Sequence, residues 1–99
     1  MSYQGLLLKD VLTQHGYDTS MYSENILAKR FDNCTAQNST EWEAIEIIDN
    51  KGRTRAFLNG NNNEDFAYME EYRYGKDEYI LWLIQYDEQG KIILINYQG

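Results

Sequence analysis

Residues 64–79 read EDFAYMEEYRYGKDEY, six carboxylates and four tyrosines around only two basic side chains. The stretch is either the solvated face of an ordinary helix or a surface built to grip a partner. Asn63 is a residue type that caps helices, and Glu64 and Asp65 follow it where the helix dipole favours negative charge. Phe66, Met69 and Arg73 then recur at helical spacing, with Ala67 beside them. The spacing predicts a helix that ends before Gly75, with Glu64, Tyr68 and Glu71 four and three residues apart on its outward face.

On either side lie two segments with one turn chemistry, EWEAIEIIDNKGRTRAFL and DEYILWLIQYDEQGKIILINY. Each breaks at Asp-x-x-Gly, Asp49 to Gly52 and Asp87 to Gly90. Aspartate suits the first position of a type I turn and glycine the left-handed position after it, so both read as hairpins with three-residue loops. That register pairs Asp49 with Arg53 and Asp87 with Lys91. It sets Trp42, Ala44, Ile48, Ala56 and Leu58 on one face of the first hairpin, opposite Glu43, Ile45, Ile47, Asp49, Arg53, Arg55 and Phe57. In the second hairpin Ile80, Trp82, Ile84, Ile92 and Leu94 oppose Tyr79, Leu81, Leu83, Ile93, Ile95 and Tyr97, so both faces are apolar and need cover or a partner.

Toward the N-terminus, Ser2 can cap a helix whose Leu7, Leu8, Val11, Leu12 and His15 share one side until Gly16 stops it. Ser20 or Ser23 can cap a second, turning Ile26, Leu27, the stem of Arg30 and Phe31 inward and fraying near Asp32. NCTAQNST, after it, has no periodicity and reads as a loop. The expected fold is a single α+β domain over residues 1–99, ordered helix-helix-hairpin-helix-hairpin, with a four-stranded antiparallel sheet packed with helices.

A chain of 99 residues supports one core without a disulfide or structural metal, and its one cysteine, Cys34, has no internal partner. With no basic, apolar leader in MSYQGLLLKD, a cytoplasmic location is expected. The run YILWLI is too short to cross a bilayer as a helix, and net charge −7 opposes both anionic lipid and nucleic acid. Eight acids and two bases fall within residues 64–88, so nearly all the net charge lies there. Such a block can steer a basic partner.

One histidine, His15, and one cysteine give no cluster with metal-ligand spacing, and no glycine-rich phosphate loop stands in the sequence, so neither metal, cofactor nor catalytic residue is expected. Lys51, Arg53 and Arg55 form a basic cluster with acids close by, which suggests neutralisation within the hairpin. In the acidic block, tyrosines supply contact area at small entropic cost and carboxylates can face an Arg- or Lys-rich groove. Glu64, Tyr68, Glu70, Glu71, Tyr72, Tyr74, Asp77 and Glu78 are therefore the candidate partner-binding residues.

In its size, its acidic and tyrosine-rich stretch EDFAYMEEYRYGKDEY and its lack of catalytic motifs, the chain resembles a class of small acidic inhibitors. These are the anti-CRISPR and anti-restriction proteins of phages and mobile elements, together with the immunity proteins that neutralise bacterial toxins. The resemblance implies a non-enzymatic inhibitor that binds a basic, nucleic-acid-handling protein such as a nuclease or CRISPR effector stoichiometrically. Toxin immunity is one alternative. A self-associating structural or regulatory module, with the C-terminal hairpin as a homodimer seam, is another.

Overall fold

Asp49 and Asp87 each close a turn in the same way. Oδ1 of Asp49 accepts the backbone N–H groups of Lys51 and Arg53 at 2.9 and 3.0 Å, and Oδ1 of Asp87 accepts those of Gln89 and Lys91, both at 2.9 Å. Gly52 and Gly90 both sit at φ 80°, a left-handed conformation that glycine adopts without strain. These turns join β2 (Ile45–Asp49) to β3 (Thr54–Leu58) and β5 (Ile80–Tyr86) to β6 (Ile92–Tyr97). The computed structural model describes residues 6–41, 43–59 and 68–99.

Two further strands, β1 (Cys34–Asn38) and β4 (Met69–Tyr74), complete a six-stranded antiparallel sheet whose spatial order is the chain order, β1 to β6. The helices are short: α1 (Leu8–Gln14) and α2 (Glu24–Leu27), the latter capped by Ser23, whose Oγ accepts the Ile26 N–H at 3.3 Å. The expected four-stranded sheet packed with three helices is therefore wrong, and two segments account for the difference.

Residues 69–74 form a strand where the spacing predicted a helix. Met69, Glu71 and Arg73 alternate with Glu70 and Tyr72 at period two, and β3 and β5 on either side supply backbone partners for both edges. The aromatic side chains favour the pleated surface, and this tertiary pairing overrides the local helical spacing. The second segment, NCTAQNST, was expected to be a loop. Cys34 and Ala36 alternate inward there and pair with Asp49 and Ile47, so its small polar residues make a short edge strand. Ser2, Trp42, Asn63, Glu64, Asp65, Phe66 and Ala67, on which other expectations rest, lie outside the described residues.

Both hairpins also carry a one-residue bulge just past the turn. The register moves from Ile48↔Thr54 to Ile47↔Ala56 in the first, and from Tyr86↔Ile92 to Gln85↔Leu94 in the second. A slip of one residue changes the face of every side chain beyond it on that strand. Hence Ala56 and Leu58 share a face with Ile45 and Ile47 instead of Ile48, and Trp82 and Ile84 share one with Ile95 and Tyr97 instead of Leu94.

That shared face holds the core. Leu8, Val11 and Leu12 of α1, Ile26 and Leu27 of α2, and Tyr22 and Phe31 from the connections cover Ile47, Ala56, Leu58, Met69, Ile84 and Tyr86. α2 also reaches the last turn, with Asn25 Nδ2 donating to the Gln89 carbonyl at 2.7 Å and Lys29 Nζ 4.4 Å from the centre of the Tyr86 ring. The helical layer ends there. Every residue of β6 is exposed.

Candidate protein-binding surface

The strand geometry of β4 divides the expected acidic surface among several environments. Glu71 points into the core face, where it is only 7% exposed. Its Oε1 accepts the Tyr86 hydroxyl at 2.6 Å and its Oε2 the Arg73 Nε at 3.2 Å. Burial raises the Tyr86 phenol well above its ordinary range, and the hydrogen bond to Glu71 adds to this, so the hydroxyl remains a donor. Glu71 is thus a buried acceptor within the fold.

Tyr68 is half-buried, with its ring edge against Tyr22 at 5.5 Å between centroids and its hydroxyl bonded to the Met21 carbonyl. Tyr74 lies under the Arg53 guanidinium, 4.4 Å from the ring centre, and donates to the Thr54 carbonyl at 2.7 Å. Both tyrosines tie elements of the fold together. In the turn after β4, Asp77 is exposed, while Glu78 pairs with Lys51 at 3.1 Å and Arg53 at 3.4 Å. The basic cluster on the first hairpin therefore neutralises Glu78 as well as Asp49, which Arg53 Nε meets at 2.9 Å.

Glu70 and Tyr72 remain, on the face of the sheet opposite the helices. There the register aligns one residue from every strand: Gln37, Glu46, Phe57, Glu70, Gln85 and Leu94. The two carboxylates flank Phe57 on neighbouring strands, about 10 Å apart from the strand spacing. Each is held by two neutral donors. Glu46 accepts Gln37 Nε2 at 3.2 Å and the Thr54 hydroxyl, and Glu70 accepts Gln85 Nε2 at 2.8 Å and the Tyr72 hydroxyl.

Among the described residues no Lys or Arg nitrogen lies within 4 Å of either carboxylate. Their charge is oriented but not paired. Phe57 and Tyr72 meet edge to face between them, with centroids 6.0 Å apart, giving an aromatic floor beside two anionic groups. Burial pushes the Tyr72 phenol up and the Glu70 carboxylate raises it further, so this hydroxyl too stays protonated and keeps its neighbour in place.

Of the residues expected from sequence, Glu70 and Tyr72 lie on this open face, while Glu46, Phe57 and the two glutamines beside them were not among those expected. Finding them required the bulge at Arg55, because only the shifted register brings Glu46 opposite Phe57. The thiol of Cys34 is buried and donates to the Asp32 carbonyl at 3.3 Å. Burial pushes its pKa up to about 11, against the opposing Arg55 charge, so it is not the thiolate a nucleophile requires. Among the described residues no group of three or more His, Cys, Asp or Glu side chains is placed to hold a metal ion.

Comparison with protein-family models, curated proteins and solved structures finds no match. No helix among the described residues is long and apolar enough to cross a membrane.

Proposed function

We propose that this protein is a non-enzymatic, stoichiometric inhibitor that acts in the cytoplasm by occupying a basic surface on a nucleic-acid-handling protein, in the manner of an anti-CRISPR or anti-restriction protein. The observation that carries this reading is the pair of unneutralised, pre-oriented carboxylates of Glu46 and Glu70 on either side of Phe57 and Tyr72. An arginine from the partner can stack on an aromatic ring there and place its guanidinium fork on a carboxylate, which is the arrangement guanidinium favours. Carboxylates held in advance by neutral donors lose little entropy on binding.

Compared with the expectation from sequence, the proposed contact surface keeps Glu70 and Tyr72, gains Glu46 and Phe57, and leaves out Glu71, Tyr68, Tyr74 and Glu78. Asp77 sits apart, in the turn. The test is DNA release from CRISPR effectors, restriction nucleases and nuclease toxins, read by fluorescence anisotropy of a labelled duplex. At least one target should lose its DNA at about one equivalent of inhibitor, and the double variant Glu46→Gln, Glu70→Gln should need at least tenfold more. Loss of DNA binding at catalytic amounts of the protein would make it an enzyme. Release that is unchanged in the double variant would remove this face from the account.

A further inference from the structure

We propose that β6 pairs edge to edge with β6 of a second copy, joining two six-stranded sheets into one continuous sheet. The surface is separate from the one assigned to a basic partner, and the inference stands without that assignment.

β6 ends the strand order, so no described strand lies beyond it. Ile92, Ile93, Leu94, Ile95 and Tyr97 are each between 42 and 56% exposed. Between Ile92 and Tyr97 the strand carries no proline and no charge to keep the edge from pairing, and its one bulge lies at the turn end, at Ile93. Its apolar residues also lie on both faces. Ile95 and Tyr97 continue the core face, where the Tyr97 ring meets Trp82 with centroids 4.7 Å apart, and Leu94 continues the opposite one beyond Gln85. A partner resting on either face would leave the other apolar row in water. Only a contact running along the edge covers both.

The backbone parity agrees with such a contact. Gln98 N–H bonds the Leu81 carbonyl at 2.8 Å, and Trp82 stands opposite Tyr97. By alternation the N–H and C=O groups of Ile95 and Tyr97 point away from β5. Two copies related by a two-fold axis through Ile95 bring these groups face to face. That register sets Ile95 against its own copy, Ile93 against Tyr97, and Lys91 against Gly99.

Charge selects a second copy as the occupant. Two molecules of net charge −7 repel wherever their acids meet. From Tyr79 to Tyr86 and from Gln89 to Gln98, however, the side chains carry no acid and one base, Lys91. The β5–β6 end is therefore the stretch of sheet along which two copies can approach without facing carboxylates. The five apolar side chains of β6 expose on the order of 500 Å² per copy, so the pair can bury at most about 1,000 Å² of them, the lower end for a specific interface.

Sedimentation velocity from about 1 to 100 µM, with hydrogen exchange at both ends of that range, tests the pairing. The expected result is a dimer whose Ile95 and Tyr97 amides are at least tenfold better protected at the higher concentration. Ile95→Lys should be monomeric with an unchanged circular dichroism spectrum, and Ile93→Lys provides the same readout should the first variant not fold. A monomer at 100 µM would overturn the proposal and leave this edge to a strand of another protein. A dimer that survives both lysine variants, or that leaves the two amides unprotected, would overturn it as well.

Discussion

Phe31→Ala should cost about 3–5 kcal/mol, the range for deleting a large aromatic side chain from a core. Phe31 is fully buried between α2 and β1, and its N–H donates to the Leu6 carbonyl at 2.9 Å, so it fixes the segment that carries the helical layer onto the sheet. Its ring also lies beneath the Arg55 guanidinium, 6.0 Å from the ring centre, and Arg55 Nε is buried without a hydrogen-bond partner. Removing the ring opens a cavity and takes away the cation–π contact that faces this nitrogen. Urea unfolding should show the midpoint falling with little change in slope. A loss under 1 kcal/mol would mean that the helical layer is not seated on the sheet through this residue.

Asp49→Ala should cost about 2–4 kcal/mol, because one carboxylate receives two turn N–H groups and a guanidinium, and hydrogen bonds to charged groups are worth more than neutral ones. Burial alone would raise the Asp49 pKa. The N–H donors of Arg53 and Lys51 and the Arg53 charge outweigh burial and hold it below its ordinary value of 3.8. A carboxyl with a depressed folded pKa contributes stability that is fully present above the unfolded value and is lost as pH falls through the folded one. The stability difference between the parent and Asp49→Asn should therefore be constant above about pH 5 and shrink below pH 4. A difference independent of pH down to about pH 2 would show that the charge of Asp49 does not contribute to the turn.

The turns were legible in the sequence because Asp-x-x-Gly specifies its own backbone geometry. So was most of the core carried by the two helices, since Leu8, Val11, Leu12, Ile26 and Leu27 sit at spacings that local structure alone explains, whereas Phe31, expected on the second helix, lies beyond its end at Leu27. The strand β4 was not legible. Its core face carries Glu71 and Arg73, whose ion pair breaks the apolar alternation, and what makes it a strand is two long-range ladders. Nor were the faces of either hairpin, because each bulge shifts the register by one residue without a distinctive residue at the bulge itself. The candidate site inherits both difficulties: Glu70 and Glu71 are adjacent and alike in sequence, yet the pleat sends one to the open face and buries the other.

This separation of like residues is also where the account can be tested without knowing the natural partner. Titration of a hexa-arginine peptide into isotopically labelled protein, followed by amide chemical shifts at low salt, maps where a flexible polycation settles. The largest changes should fall on Glu46, Phe57, Glu70, Tyr72 and Gln85, with Glu71 and the β6 amides little affected. Changes centred on Asp77 and Glu78, on the helix acids Asp10 and Glu24, or spread evenly over all carboxylates would contradict the assignment of the open sheet face as the surface that receives a basic partner.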